Sequence, residues 1–346
     1  MASSADCPLE GCSRVFLTYS LSLGGNVALL ALFAVLIPVT LAMGIRYNNT
    51  IFSTALATGL ALEVMGYIGR ILMSTGAPTR SSFTVFLLGT IIGPNFIFGA
   101  MVYVMQRIIT LYGQEFQTWR RTWYFNMLYG LTVLSLVLEI AGGAVSTSLL
   151  ASDTVNPGDR VLAVGLAIHL VALVIFTAHA GLFAIAVRTR HHILDPTHAP
   201  VYNSGLFRVF LIGFSAATFF LILRTAFRIV VIAEGFASSV AQAEVLFLVF
   251  DGVMVFIASG ILLALFPGRV FGRSWRETSP RHPAHKPTRP PRPLPVQLLP
   301  THQNPGLNKM NLKPAAHPEN YPEHPSRKTY APPPAHRNMV DSESLW

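Results

Sequence analysis

Apolar residues run in long blocks through the first 268 positions, and polar residues gather in short breaks between them. A block of about 20 apolar residues is long enough to cross a bilayer as a helix. The pattern predicts seven spans, at about 21–43, 51–73, 83–111, 123–150, 161–187, 206–233 and 243–266. The breaks carry turn chemistry: Arg46-Tyr-Asn-Asn-Thr50, Gly76 with Pro78, Asn156-Pro157-Gly158, and Pro267-Gly268 after the last span. Pro38 predicts a kink in span 1. Pro94, near the middle of span 3, frees a backbone carbonyl that a neighbour or water must satisfy. Gly142 and Gly143 in span 4 predict close helix approach. The expected fold is all-α, a polytopic membrane protein of seven transmembrane helices. The short alternating segments of a β-barrel are not in the pattern.

Composition agrees. The chain has 346 residues, 52% hydrophobic and 12% charged, with mean hydropathy +0.50. A soluble domain carries roughly 25% charged residues. The net charge of +9 sits unevenly: residues 1–268 hold 13 Arg and 11 acids, and residues 269–346 hold 12 Lys and Arg and 5 acids. The basic character belongs to the tail, so nucleic acid is not an expected partner. Residues 1–18 form a short polar segment, 19–268 the membrane domain, and 269–346 a Pro-, Arg- and His-rich tail expected to be disordered.

Arginines in the short breaks set the orientation. One side collects Arg46, Arg107, Arg120, Arg121, Arg188, Arg190, Arg208, Arg269, Arg273 and Arg276; the other holds Arg14, Arg80 and Arg160 with Asp6, Glu10, Asp153 and Asp159. This places the N-terminus outside and the C-terminus in the cytoplasm. The sequon at Asn48 then faces the cytoplasm and stays unmodified. With Cys7 and Cys12 outside, a disulfide and two free thiols are both open readings. In the tail, Pro287-Thr-Arg-Pro-Pro-Arg292 fits an SH3-type ligand pattern, and chance in a Pro- and Arg-rich stretch also supplies it.

The candidate chemistry lies in the charges within the spans. A charge at the bilayer centre costs roughly 3 kcal/mol on insertion scales. Helical rise places Glu63, Arg70, Glu139, His169, Arg224, Arg228 and Asp251 in the outer half, with Asn95 near the middle of span 3 and Glu234 and Glu244 at the rim. Two compatible readings arise. One is a set of buried ion pairs that fix helix register. The other is a polar cavity that takes an amphiphile's headgroup. Asp251 and Glu139 are the expected partners of Arg224 and Arg228, with Glu234 at the rim. The spacing shows neither a metal-ligand cluster nor a catalytic constellation, and no cofactor is expected. There is no GxxxxGK[ST] loop for ATP.

Several segments resemble a known family in their order. They are Glu63-Val-Met-Gly-Tyr-Ile-Gly-Arg70, Gly93-Pro-Asn with Ala100 and Tyr103, Glu139-Ile-Ala-Gly-Gly143, Gly165-Leu-Ala-Ile-His169, Arg224-Thr-Ala-Phe-Arg228, Glu244 with Asp251, and Pro267-Gly268. Together they are similar to the fungal RTA-like family, also called lipid-translocating exporters. The resemblance implies a seven-helix protein that moves toxic lipids such as sphingoid bases and gives resistance to amphiphilic drugs. One branch is associated with porphyrin uptake. Against that pattern, Thr132 replaces an acid, Glu139 and His169 replace glutamines, Val231 replaces a glutamate and Phe266 a histidine. The retained arginines and relocated acids suggest a divergent paralogue.

The sequence is compatible with three functions. The first is an efflux-type translocator of a lipid-like amphiphile, in the plasma membrane or an internal one, with no enzymatic activity. The second is a seven-helix receptor or sensor for such a ligand. The third is a membrane-embedded terpene cyclase that uses buried acids. It is disfavoured because an acid held ionised by a neighbouring arginine is a poor proton donor.

Overall fold

The computed structural model describes residues 21–76, 79–112, 121–148, 157–190, 199–236, 238–272 and 274–277. Among them, seven helical stretches are long and apolar enough to cross a membrane, and no strand occurs. The protein is a multi-pass integral membrane protein. The first five spans are α1 (Leu23–Arg46), α2 (Thr50–Thr75), α3 (Arg80–Tyr112), α4 (Arg121–Ser148) and α5 (Pro157–Thr189). A short α6 (Ala199–Tyr202) leads into α7 (Gly205–Glu234), the sixth span. The seventh span, Glu244–Phe271, is composite: α8 (Glu244–Phe247), a π-helical turn (Leu248–Val253), α9 (Met254–Ala264) and α10 (Pro267–Phe271). One more turn, α11 (Ser274–Glu277), comes after it.

All seven predicted spans are present, and their ends move by a few residues. Ser22 caps α1 by accepting from Gly25 N–H at 3.3 Å. Pro38 lies inside α1, which continues through it to Arg46. Packing extends beyond the boundary expected at 268: Val270, Phe271 and Trp275 are buried. The N-terminal segment with Cys7 and Cys12, Arg120, and the tail with its 287–292 motif lie outside the described residues.

α3 is the most buried span and α1 the least. α2 packs along α3, α4 along α5, and α7 against α5 and α9. Small residues permit the closest of these approaches. A Cβ on Gly89 would stand 2.6 Å from Gly66 N and 2.7 Å from Leu62 O, so α2 and α3 meet backbone to backbone. Gly142 faces the Leu162 backbone in the same way between α4 and α5. Large aromatics fill the rest, as where Phe98 meets Phe176 edge-on at 5.5 Å.

The bundle has two distinguishable ends. At one, Ser22 N–H donates to Glu244 Oε1 at 2.7 Å, joining the starts of the first and seventh spans. At the other, Trp275 packs on Phe271 (5.4 Å) and Tyr103 (6.0 Å).

Candidate functional site

The expected site residues separate into two buried clusters. The first lies toward the Glu244 end. Arg224 and Arg228 are one helical turn apart on α7, so both side chains leave the same face. Asp251 answers both. Arg228 grips it with a fork, Nε to Oδ1 at 2.8 Å and Nη2 to Oδ2 at 3.1 Å. Arg224 Nε forms an ion pair with Oδ1 at 2.9 Å. All three residues are at most 1% exposed.

Asp251 sits within the π-helical turn Leu248–Val253. Such a turn inserts one residue and changes the direction in which its neighbours along the helix point. It lets Asp251 face α7 while Phe247 and Glu244, one and two turns earlier, face α2 and α3. The apolar run gives no sign of this.

The second partner of the arginine pair is Thr90 on α3. Arg224 Nη2 donates to its carbonyl and Arg228 Nη2 to its hydroxyl. The cause is Pro94, four residues on. Proline has no N–H to return to that carbonyl. The orphan expected from sequence is the Thr90 carbonyl, and the satisfying neighbour is an arginine. The Thr90 hydroxyl in turn donates to Phe86 O at 2.9 Å.

Arg70 extends the cluster. Its Nε donates to Asn26 Oδ1 at 2.8 Å, and its Nη2 lies 3.6 Å from Glu244 Oε1. Its guanidinium stacks 4.0 Å from the Phe247 ring centroid, and that of Arg228 lies 5.0 Å from the same ring. Aromatic faces thus share the two cations with carboxylates. Glu63, 1% exposed, is close enough to Arg224, Arg228 and Asp251 to interact with all three electrostatically. Neither of its oxygens has a hydrogen-bond partner among the described residues.

The second cluster crosses α3, α4 and α5. Asn95 Nδ2 donates to Glu139 Oε2 at 2.5 Å, and the Ser135 hydroxyl donates to Asn95 Oδ1 at 2.9 Å. His169 Nδ1 lies 3.6 Å from Glu139 Oε1. Gly165 leaves room for this acid: a Cβ there would stand 3.0 Å from Glu139 Cγ.

The expected partnership of Glu139 with the arginine pair is therefore corrected. α3 lies between them, and Glu139 faces an amide and an imidazole. Its environment also removes the argument that every buried acid has an arginine beside it. Glu234 is exposed at the end of α7, where the chain turns at Gly235 with φ +84°. Glu244 is the rim acid that is engaged. Thr90, Asn26, Ser135, Phe86 and Phe247 were not among the candidates. Asn26 and the Thr90–Pro94 spacing were visible signals; the two phenylalanines looked like ordinary core.

Within each cluster the charged side chains pack on one another, and they line neither of two cavities nearby. One cavity, about 450 Å³ and largely apolar, lies between α3, α5 and α7 near Tyr112, Phe183 and Arg208. The other, about 260 Å³, lies between α2, α3 and α4 and reaches Asn95. Among the described residues no group of His, Cys, Asp and Glu is placed to hold a metal ion.

The family model for the RTA1 like protein matches residues 56–274, which takes in both clusters. The chain belongs to the RTA1-like family. Among curated proteins it is similar to the sphingoid long-chain base transporter RSB1 of Saccharomyces cerevisiae. With strain Lalvin EC1118 / Prise de mousse it is 22% identical over 72% of this chain and 72% of that protein. With strain YJM789 the identity is 22% over 74% and 75%, and with strain JAY291 it is 21% over 71% and 72%. No solved structure matches significantly.

Proposed function

We propose that this chain moves a lipid-like amphiphile with a cationic headgroup, of the sphingoid-base class, across a membrane. The observation that carries the reading is the buried charge network joining α2, α3, α7 and the seventh span at membrane depth. Fully buried charges are costly to keep, and in membrane proteins they mark pathways for polar cargo. Family membership and the relatives' printed names, all sphingoid long-chain base transporters, support the same class. Arg70, Arg224 and Arg228 with Glu63 and Asp251 form the polar element that an amine headgroup perturbs. Asn95, Glu139 and His169 form a second polar station. The protein acts without covalent chemistry, with its N-terminus outside, in the plasma membrane.

The test is flux of labelled amphiphiles in vesicles reconstituted with the full chain, comparing a sphingoid base, a sterol and a porphyrin. Selective movement of the sphingoid base is expected. Saturable binding without movement would replace the transport reading with that of a sensor.

A further inference from the structure

A window exposes the face of α3 between α2 and α4. Phe96, Gly99 and Tyr103 are only half-buried there, whereas their neighbours Ile97, Phe98 and Ala100 are buried. A Cβ on Gly99 would meet nothing within 4 Å. The window opens into the 260 Å³ cavity whose depth is marked by Asn95 and Thr132. Ile51 of α2 and Val133 of α4 wall it and are 52% and 58% exposed, so it faces the lipid side of the bundle.

The polar atoms at its depth are mostly acceptors. Asn95 Oδ1 takes the Ser135 hydroxyl and keeps a second lone pair. The Thr132 hydroxyl spends its hydrogen on Leu128 O at 2.8 Å and keeps its lone pairs. Behind Asn95, Glu139 Oε1 is fully buried and has no hydrogen-bond partner among the described residues. Arg107, whose Nη2 donates to the Tyr103 hydroxyl at 2.5 Å, belongs to the opposite end of the window. Tyr103 itself is two helical turns, about 12 Å, from Asn95. The deep end thus offers acceptors backed by a carboxylate and suits a ligand rich in donors and positively charged.

The volume is below the roughly 300–1,000 Å³ that encloses a drug-sized ligand. It suits a headgroup, with the remainder of the molecule outside. We infer that this window seats the headgroup of a single-chain amino-alcohol lipid. Its ammonium and hydroxyl groups donate to Asn95 and Thr132, with the Glu139 carboxylate behind Asn95 as the nearby negative group, and its chain leaves between α2 and α4 into the bilayer. A fatty acid would set its carboxylate against Glu139, and a sterol would leave most acceptors unmet. The inference rests on the transport reading and adds the seat, which lies apart from the arginine cluster.

The test uses the full chain in phosphatidylcholine vesicles and a long-chain amino alcohol with a diazirine near its headgroup. Adducts are expected within 95–103 and 129–136, displaced by unlabelled amino alcohol and not by a fatty acid of equal length. Gly99→Leu fills the window and should abolish labelling, with an unchanged melting temperature in detergent as the fold control. Thr132→Val keeps the shape and removes one acceptor. Loss of a hydrogen bond to a charged group corresponds to roughly ten- to hundredfold weaker competition. Adducts confined to other helices, or labelling unchanged in both variants, overturn the seat. Flux with labelling elsewhere rejects the seat and keeps transport; labelling of the window without flux does the reverse.

Discussion

Asp251 holds two guanidinium groups with one carboxylate, and all three are buried. Removing one partner of a buried pair leaves an uncompensated charge, at a cost of about 3–5 kcal/mol. Asp251→Ala is therefore expected to lower the melting temperature in detergent sharply and to reduce the amount reaching the membrane. Asp251→Asn keeps the shape and should recover part of the loss. A wild-type melting temperature for Asp251→Ala would show that the arginines find another partner. Thr90 is the subtler position. Its hydroxyl accepts from Arg228 and its carbonyl from Arg224, so one residue serves both cations in two different ways. Thr90→Val removes the first contact and leaves the second. The expected destabilisation is about 1–3 kcal/mol, measured by denaturant or thermal unfolding, because a buried donor is left unmet. At this scale the arginines and Asp251 were legible because charge inside an apolar run is conspicuous. Thr90 was legible only through Pro94: a proline at a known position orphans a known carbonyl, but which cation reaches it depends on how α7 packs.

At the scale of elements, close helix approach and the π-helical turn set the geometry. Gly89 and Gly66 let the α2 and α3 backbones touch, and no flexible side chain there can yield to a Cβ. Gly89→Val is expected to destabilise the bundle by about 1–3 kcal/mol or to prevent assembly. Gly99→Ala, which points into open space, should be neutral in the same unfolding assay. The π-helical turn offers a second test. Deleting Val249 would let the segment close as ordinary α-helix, which keeps the helix on either side nearly in phase and turns Asp251 relative to it. Phe247 and Glu244 could then no longer meet Arg70 while Asp251 meets Arg228. Loss of amphiphile flux with unchanged helical circular dichroism is the expected outcome. The spans themselves were legible because twenty apolar residues admit little but a membrane helix. The inserted residue was not, since a π-helical turn and an α-helix have the same apolar composition, and only the demand of α7 for Asp251 selects between them.

For the whole molecule, the folded body extends past the apolar blocks. Phe271 stacks edge-on with Phe207 at 5.4 Å and Phe210 at 5.7 Å, and Arg107 lies 5.0 Å from the Trp275 ring centroid. Truncation after Gly268 removes these contacts and should cost at least about 3 kcal/mol, on the scale of deleting a buried aromatic. Truncation after Glu277 should leave the melting temperature in detergent unchanged. A large loss in the second case would mean that the tail packs on the bundle.

The sequence by itself determined the fold class, the number of spans and the buried charges, because hydrophobic length and the cost of charge in lipid act locally along the chain. It did not determine which acid meets which base. Depth alone offered both Glu139 and Asp251 as partners of the arginine pair, yet α3 stands between Glu139 and the arginines, and the π-helical turn delivers Asp251 to both of them. Pairing is a property of helix rotation and contact. Those are settled by glycine seams, aromatic packing and one inserted residue acting together across the bundle.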